Sequence, residues 1–195
     1  MTLIKDGKGR GFTAAVNTSN RLETNSVIVS EEEAAGLEGL AFAISTTPVA
    51  FTAATESGIL YIKNESESTL ILDRARVMLG TATGGTGDWT LKFLRNPTGG
   101  TIITNALEAG ILNINHGSSQ TPTGDYFKGV QGDTLTGGQG ADFPIKSSGD
   151  GQVIFPFTRI LPTGSSFGIL LTPPTGTTAA NAIIVVRTFY PASIN

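Results

Sequence analysis

No stretch of this chain sustains a helical apolar period over ten residues. What recurs is a short β-rich apolar run closed by Gly, Pro, Asn or Asp. Leu40–Ile44 and Val49–Ala53 flank Thr46-Thr47-Pro48, and Gly58–Lys63 ends at the polar turn Asn64-Glu65-Ser66-Glu67-Ser68. Thr69–Gly80 is a longer run, succeeded by the Gly-rich stretch Thr81–Gly87. In Asp88–Asn96 the residues alternate, with Trp89, Leu91, Phe93 and Arg95 on one face and Thr90, Lys92 and Leu94 on the other. Period two with one mostly apolar face is a half-buried strand. Asn96-Pro97-Thr98-Gly99-Gly100 then turns the chain into a further β-branched run, Thr101–Thr104. Strand signals return at Gln152–Phe157, Ser165–Thr172 and Ala182–Tyr190, the last with a continuous apolar centre that predicts burial on both sides or within a sandwich. Strands without intervening helices pack as an antiparallel β-sandwich or barrel, and a jelly roll is the natural eight-strand form. The predicted class is all-β.

Residues 1–36 differ from the rest of the chain and read as an N-terminal arm and linker to a sandwich domain spanning 37–195. Lys5, Lys8, Arg10 and Arg21 lie among Gly and Asn, a strand is predicted at Ser26–Ser30, and Glu31-Glu32-Glu33-Ala34-Ala35 comes next. That acidic run reads as an exposed linker, with one helical turn capped by Ser30 and ended by Gly36 as the alternative. In the middle, Asn113–Gly151 is broken by glycines, which predicts surface loops and small hairpins, where binding variation tends to sit.

Composition narrows the function classes. Charged residues are only 15% of the chain, so its surface must be covered by Thr, Ser, Asn and Gly or hidden against neighbouring subunits. A net charge of -3 supplies no concentrated basic footprint for nucleic acid. The chain has no Cys, which excludes disulfides and thiolate ligands. The start at Met1 lacks the apolar run of a signal peptide, and no apolar stretch approaches the ~20 residues that span a bilayer. The expectation is a protein made in a cytoplasm, with no membrane partner.

Candidate chemistry is sparse. His116 is the only histidine, in a loop near Ser118 and Ser119, where turn geometry rarely aims such close neighbours at one another. Asp125, Asp133, Asp142 and Asp150 fall in the Gly-rich middle and have the oxygen chemistry for Ca²⁺. They lack the Asp-x-Asp-x-Asp spacing, and aspartate is favoured in turns for its own local hydrogen bonds. Gly84-Gly85-Thr86-Gly87 and Gly137-Gly138-Gln139-Gly140 are not followed by Lys-Ser/Thr and open no predicted helix, so they read as turns rather than phosphate cradles. Tyr61, Trp89, Tyr126 and Tyr190 have the chemistry to stack on sugars, but at strand spacing they read as core. No catalytic set, metal or cofactor is expected.

Two groups of residues carry a resemblance. Asp6-Gly-Lys-Gly-Arg-Gly-Phe-Thr-Ala-Ala-Val-Asn-Thr-Ser-Asn-Arg-Leu22 resembles an N-terminal pattern of tailed-phage virion structural proteins. Ile59–Asn64, Phe93–Ile103, Lys128–Leu135 and Leu161–Ile169 are similar to the same group. The resemblance implies a jelly-roll capsid decoration (cement) protein, homotrimeric, on the capsid exterior between capsomers, with the major capsid protein and other copies of itself as partners. A tail or fibre component, or a lectin-like glycan-binding module using the loops of 113–151, is the alternative. An arm lacking its own core can order by adding a strand to a neighbour's sheet edge. Phe12, Val16, Asn17, Asn20, Arg21, Leu22, Val27 and Val29 are the candidate interface residues, towards the capsid or a neighbouring protomer.

Overall fold

The computed structural model describes residues 3–5, 13–16, 22–23, 30–146 and 151–191. The first elements, in chain order, are β1 (Leu3–Lys5), β2 (Thr13–Val16), β3 (Leu22–Glu23), α1 (Glu31–Leu37), β4 (Ala41–Ser45), β5 (Val49–Phe51), β6 (Ser57–Asn64) and β7 (Leu70–Leu79). The chain continues through β8 (Trp89–Arg95), α2 (Thr101–Asn105), β9 (Gly110–Asn113), β10 (Gly124–Lys128), β11 (Gln139–Ile145), β12 (Gly151–Leu161), β13 (Ser166–Thr172) and β14 (Ala180–Phe189). Two compact units divide the chain, Met1–Ser30 and Glu31–Asn195. The first holds β1, β2 and β3 in an antiparallel sheet of that order. The arm therefore carries a small meander of its own.

The second unit is an antiparallel sandwich. One sheet runs β10-β6-β13-β8-β11, and the other runs β12-β7-β14-β4-β9 with β5 also on β14. Setting aside β5, β9 and β10 leaves eight strands paired from the outside inwards. The first pairs with the last (β4 with β14), β6 with β13, β7 with β12, and β8 with β11. That is one long hairpin folded over on itself, which is the jelly roll. β9 and β10, inserted between β8 and β11, extend each sheet by a strand, β9 beside β4 and β10 beside β6.

Alternation decides which side chains meet between the sheets. Leu70, Leu72, Ala75, Val77 and Leu79 from β7 face Ile59, Trp89, Leu91, Ile169 and Leu171 from the other sheet, with Ile184 and Val186 from β14. The apolar centre of β14 is thus split. Ala182, Ile184 and Val186 are in the core, whereas Ile183 and Val185 are half-buried on the outer face, so burial on both sides does not occur. A second cluster, Tyr61, Leu94, Ile102, Leu135 and Leu170, lies on the outside of the β6-β13-β8 sheet. There α2 and the segment after β10 cover it.

The elements that depart from the sequence reading do so for tertiary reasons. Thr101–Thr104 is helical rather than extended. The Thr101 N–H donates to Thr134 Oγ1, and the Ile102 N–H donates to the Thr134 carbonyl. These bonds replace a strand ladder, and the turn drops Ile102 into the second cluster. Likewise 31–36 is not an exposed linker but the body of α1, with Ala35 buried against Ala41 and Phe189. Glu32 holds it down by pairing with Arg74 at 2.7 Å and Arg187 at 2.9 Å. Gly39, not Gly36, ends it. At φ 75 Gly39 supplies the left-handed residue, while the Leu40 N–H donates to the Ala35 carbonyl at 2.7 Å.

The strand edges are blunted. β11 carries Pro144, and β12 carries Pro156 with a register shift between Pro156 and Arg159, so neither edge offers an unbroken row of N–H donors. Two buried groups among the described residues go unserved, the Trp89 indole N–H and the Thr188 hydroxyl, the latter in a residue 1% exposed. Thr188→Val keeps the shape and removes the orphan, so it is expected to raise stability by about 1 kcal/mol. Thermal unfolding should then shift upward by roughly 2–4 °C.

Candidate functional site

The geometry disperses the candidate chemistry. His116 is exposed in the turn after β9, and among the described residues its side chain makes no hydrogen bond or ion pair. The Ser118 hydroxyl instead accepts from the Gln120 N–H at 3.2 Å. Among the described residues no three His, Asp or Glu side chains gather as metal ligands. Asp125 lies 3.9 Å from Lys63 and Asp142 lies 4.0 Å from Lys92, while Asp150 is outside the described residues. Tyr61, Trp89, Tyr126 and Tyr190 are all buried, so none of them is a sugar platform. Neither glycine run opens a helix. Thr83 and Thr86 bridge to Ala179 and Thr175, and Gly137-Gly138 is the turn entering β11. No described helix is long and apolar enough to cross a membrane.

Asp133 is the fourth carboxylate, and it has a structural role. It is 5% exposed and accepts from the Val130 N–H at 2.9 Å, Thr101 Oγ1 at 2.9 Å and Asn105 Nδ2 at 3.1 Å. It thereby ties the loop after β10 to α2. Asp133→Ala would orphan three donors at once and is expected to cost about 3 kcal/mol, measured by denaturant unfolding. Tyr126 is a second buried polar group. Burial pushes its hydroxyl pKa well above the usual tyrosine range, with Tyr190 beside it adding to the rise. The folded state therefore holds this proton more tightly than the unfolded chain. Its contribution is whole below the ordinary value of 10.0 and is lost as pH rises above it. Tyrosinate absorbance from Tyr126 is expected to appear together with alkaline unfolding, not before it.

The surface feature that sequence reading missed is the outer face of the β12-β7-β14-β4-β9 sheet. Register places Ile154, Arg76, Val185 and Ser45 in one row. Gln152, Met78 and Ile183 form the next row on the same face. A third holds Leu112 and Ala43, continuing through Arg187 and Arg74. Ile154 is 49% exposed and Leu112 57%, while Met78, Ile183, Val185 and Ala43 are half-buried. A sheet face turned to water ordinarily alternates to polar residues. Here six apolar side chains are interspersed with Arg76, Arg74, Arg187, Gln152 and Ser45. α1 lies over one end, where Ala35 packs on Ala41 and Phe189 and Glu32 pairs with Arg74 and Arg187. The continuous apolar centre of β14 was the available signal, since one face of it had to point outward.

Of the sequence-predicted interface residues, Val16 and Leu22 sit opposite each other where β2 pairs with β3. Phe12, Asn17, Asn20, Arg21, Val27 and Val29 lie outside the described residues, as does the strand expected at Ser26–Ser30 apart from Ser30, which is not in a strand.

No protein-family model matches this sequence, and no curated protein is significantly similar to it. Among solved structures, the chain is similar to that of the Gx strain of infectious bursal disease virus, at 12% identity and a TM-score of 0.30. That match covers 77% of this chain and 34% of the viral one, so this chain spans about a third of that length. It is also similar to the structure of tomato aspermy virus, at 6% identity and a TM-score of 0.27, covering 89% of this chain and 86% of that one. Likenesses this weak assign no function, and the jelly roll stands on the strand order alone.

Proposed function

We propose that this chain is a non-enzymatic structural protein of a virion, a capsid decoration protein of tailed-phage type that binds the outer shell between capsomers. The observation that carries the reading is the partly apolar outer face on which Ile154, Val185, Met78, Ile183, Ala43 and Leu112 are interspersed with Arg76, Arg74 and Arg187. A face of this kind is stabilised by being covered, and each Å² removed from water contributes roughly 25 cal/mol. Low overall charge supports the same reading, because a surface poor in Lys and Glu suits contact with neighbouring subunits. The N-terminal unit, with Lys5, Lys8, Arg10 and Arg21 in its sequence, adds a second attachment point on the major capsid protein or a neighbouring copy. Two modest footprints on one lattice add through effective concentration rather than through any single tight contact. The assembly is read as a homotrimer on the capsid exterior.

The test is the solution mass of the purified chain, followed by co-sedimentation with capsids that lack it. A mass three times 20.2 kDa, with pelleting that raises the capsids' heat resistance, is the expected result. A monomer that leaves such capsids in the pellet alone overturns the reading. Removal of residues 1–30 is expected to weaken pelleting while leaving the jelly roll folded.

A further inference from the structure

Where β11 and β12 form the neighbouring rims of the two sheets, the sandwich opens into a cleft of about 660 Å³. Its buried floor includes Phe93 and Phe167, and its mouth carries Arg95 from the end of β8 and Arg159 from β12. Among the described residues no Asp or Glu lines it. That is unexpected in this chain. Of 13 basic and 16 acidic residues, four and two precede Ser30, so the jelly roll is the acidic part of the molecule. Four of its other cations, Lys63, Arg74, Lys92 and Arg187, have carboxylate partners. The Arg95 side chain has no hydrogen-bond or ion-pair partner among the described residues. Arg159 has only the ring of Phe157, 5.7 Å away, which steadies its guanidinium without neutralising it.

The polar groups around the two arginines are exposed at the mouth of the cleft, and one of them is held in place by the backbone. Asn96 takes the left-handed region at φ 50. Its N–H donates to the Ser166 carbonyl at 2.9 Å, and its side-chain oxygen accepts the Ser166 N–H at 3.0 Å. Its amide NH₂ is left without a partner among the described residues, as is the side-chain amide of Gln139 across the cleft.

We propose that this cleft binds a carboxylate-bearing saccharide of one or two rings. The carboxylate pairs with Arg95 and Arg159, whose planar forks match it. Ring hydroxyls take the free amides of Asn96 and Gln139, and the apolar ring face lies over the floor at Phe93 and Phe167. The volume is that of a small-ligand site. An acidic peptide fits less well, since the register shift between Pro156 and Arg159 disrupts the straight β12 edge on which a strand would pair. This assignment does not depend on capsid binding, and a protein that decorates a shell has room for it.

The test titrates the isotope-labelled full chain with methyl glucuronide and methyl glucoside, monitored by NMR. Saturable shifts confined to the cleft are expected for the glucuronide, with the glucoside at least about tenfold weaker. Arg95→Ala and Arg159→Ala should each weaken the glucuronide by about tenfold or more. Arg76→Ala, an exposed arginine on the far sheet face, should leave it unchanged. Because the ligand comparison uses the unaltered chain, it stands even if a variant misfolds. Equal response to both sugars overturns the proposal, and so does undiminished binding in both cleft variants. Acetate producing the same shifts at the same concentration would leave only a generic anion contact and overturn it too. Preference for an acidic peptide over the glucuronide would assign the cleft to a protein partner instead.

Discussion

Asn64→Ala is expected to destabilise the jelly roll by about 3–4 kcal/mol, although it removes only one small polar side chain. Asn64 is fully buried at the end of β6. Its Nδ2 donates to the carbonyls of Ser68 and Leu161, each at 2.8 Å, and its Oδ1 accepts the Ser66 N–H at 3.1 Å and the Tyr190 hydroxyl at 3.4 Å. The side chain thus uses its whole hydrogen-bonding capacity to join the turn after β6, the end of β12 and the end of β14. Alanine leaves two carbonyls, an N–H and a hydroxyl to find new partners where water has little access. Denaturant unfolding measures the loss, and the slope with denaturant should stay unchanged because the same surface is exposed. Asn64→Asp separates shape from chemistry. It keeps the volume but replaces the donating NH₂ with an acceptor facing two carbonyls, so it is expected to be at least as damaging as alanine. A loss below about 1 kcal/mol for both variants would show that this junction is not what joins the three segments.

Phe93→Ala is expected to cost about 4 kcal/mol, the other large effect. Phe93 is 7% exposed and is the hub of an aromatic cluster. Its ring centroid lies 5.3 Å from Phe143, 5.7 Å from Phe155, 5.2 Å from Phe157 and 5.6 Å from Phe167. Those rings come from β11, β12 and β13, so one side chain joins the two sheets where β11 and β12 leave the sandwich open. Each edge-to-face or tilted pair contributes about 0.5–1.5 kcal/mol beyond area burial, and the cavity left by alanine adds its own penalty. Phe93→Leu refills most of the volume and should cost roughly half as much. Because Phe93 also floors the cleft, the alanine variant is expected to weaken saccharide binding in a chain that still unfolds cooperatively. Unaltered stability in Phe93→Ala would mean that the rings repack without it.

The all-β class and eight of the fourteen described strands, β4 to β8 and β12 to β14, were legible in the sequence because alternation is local. By contrast, β1, β2, β3, β9, β10 and β11 were not read as strands. In Trp89–Arg95 the residues themselves state which face is inward, and the structure puts Trp89, Leu91 and Phe93 in the core and Leu94 outside it. The strand ends were likewise marked by turn residues at Asn64, Asn96 and Gly164. Buried Tyr61, Trp89, Tyr126 and Tyr190 and the exposed His116 lie where strand spacing and loop composition put them. What local pattern does not carry is which strand pairs with which. The pairing of β4 with β14 joins segments about as far apart as the sandwich allows, and no periodicity announces it.

The misreadings share that cause. Thr101–Thr104 has the composition of a strand, yet its backbone donors are served by Thr134, more than thirty residues away, and a helical turn results. Glu31–Ala35 has the composition of a solvated linker, yet Arg74 and Arg187 from two strands converge on Glu32. The two-arginine cleft was invisible for the same reason, and the outer face was signalled only by the apolar centre of β14, since each is assembled from residues on several strands. Sequence by itself determined the all-β class, eight of the strands and their inward faces, because each rests on neighbours within a few residues. Only the tertiary structure decided the folded-over hairpin, the face left uncovered and the opening beside Phe93, because those depend on register between segments far apart along the chain.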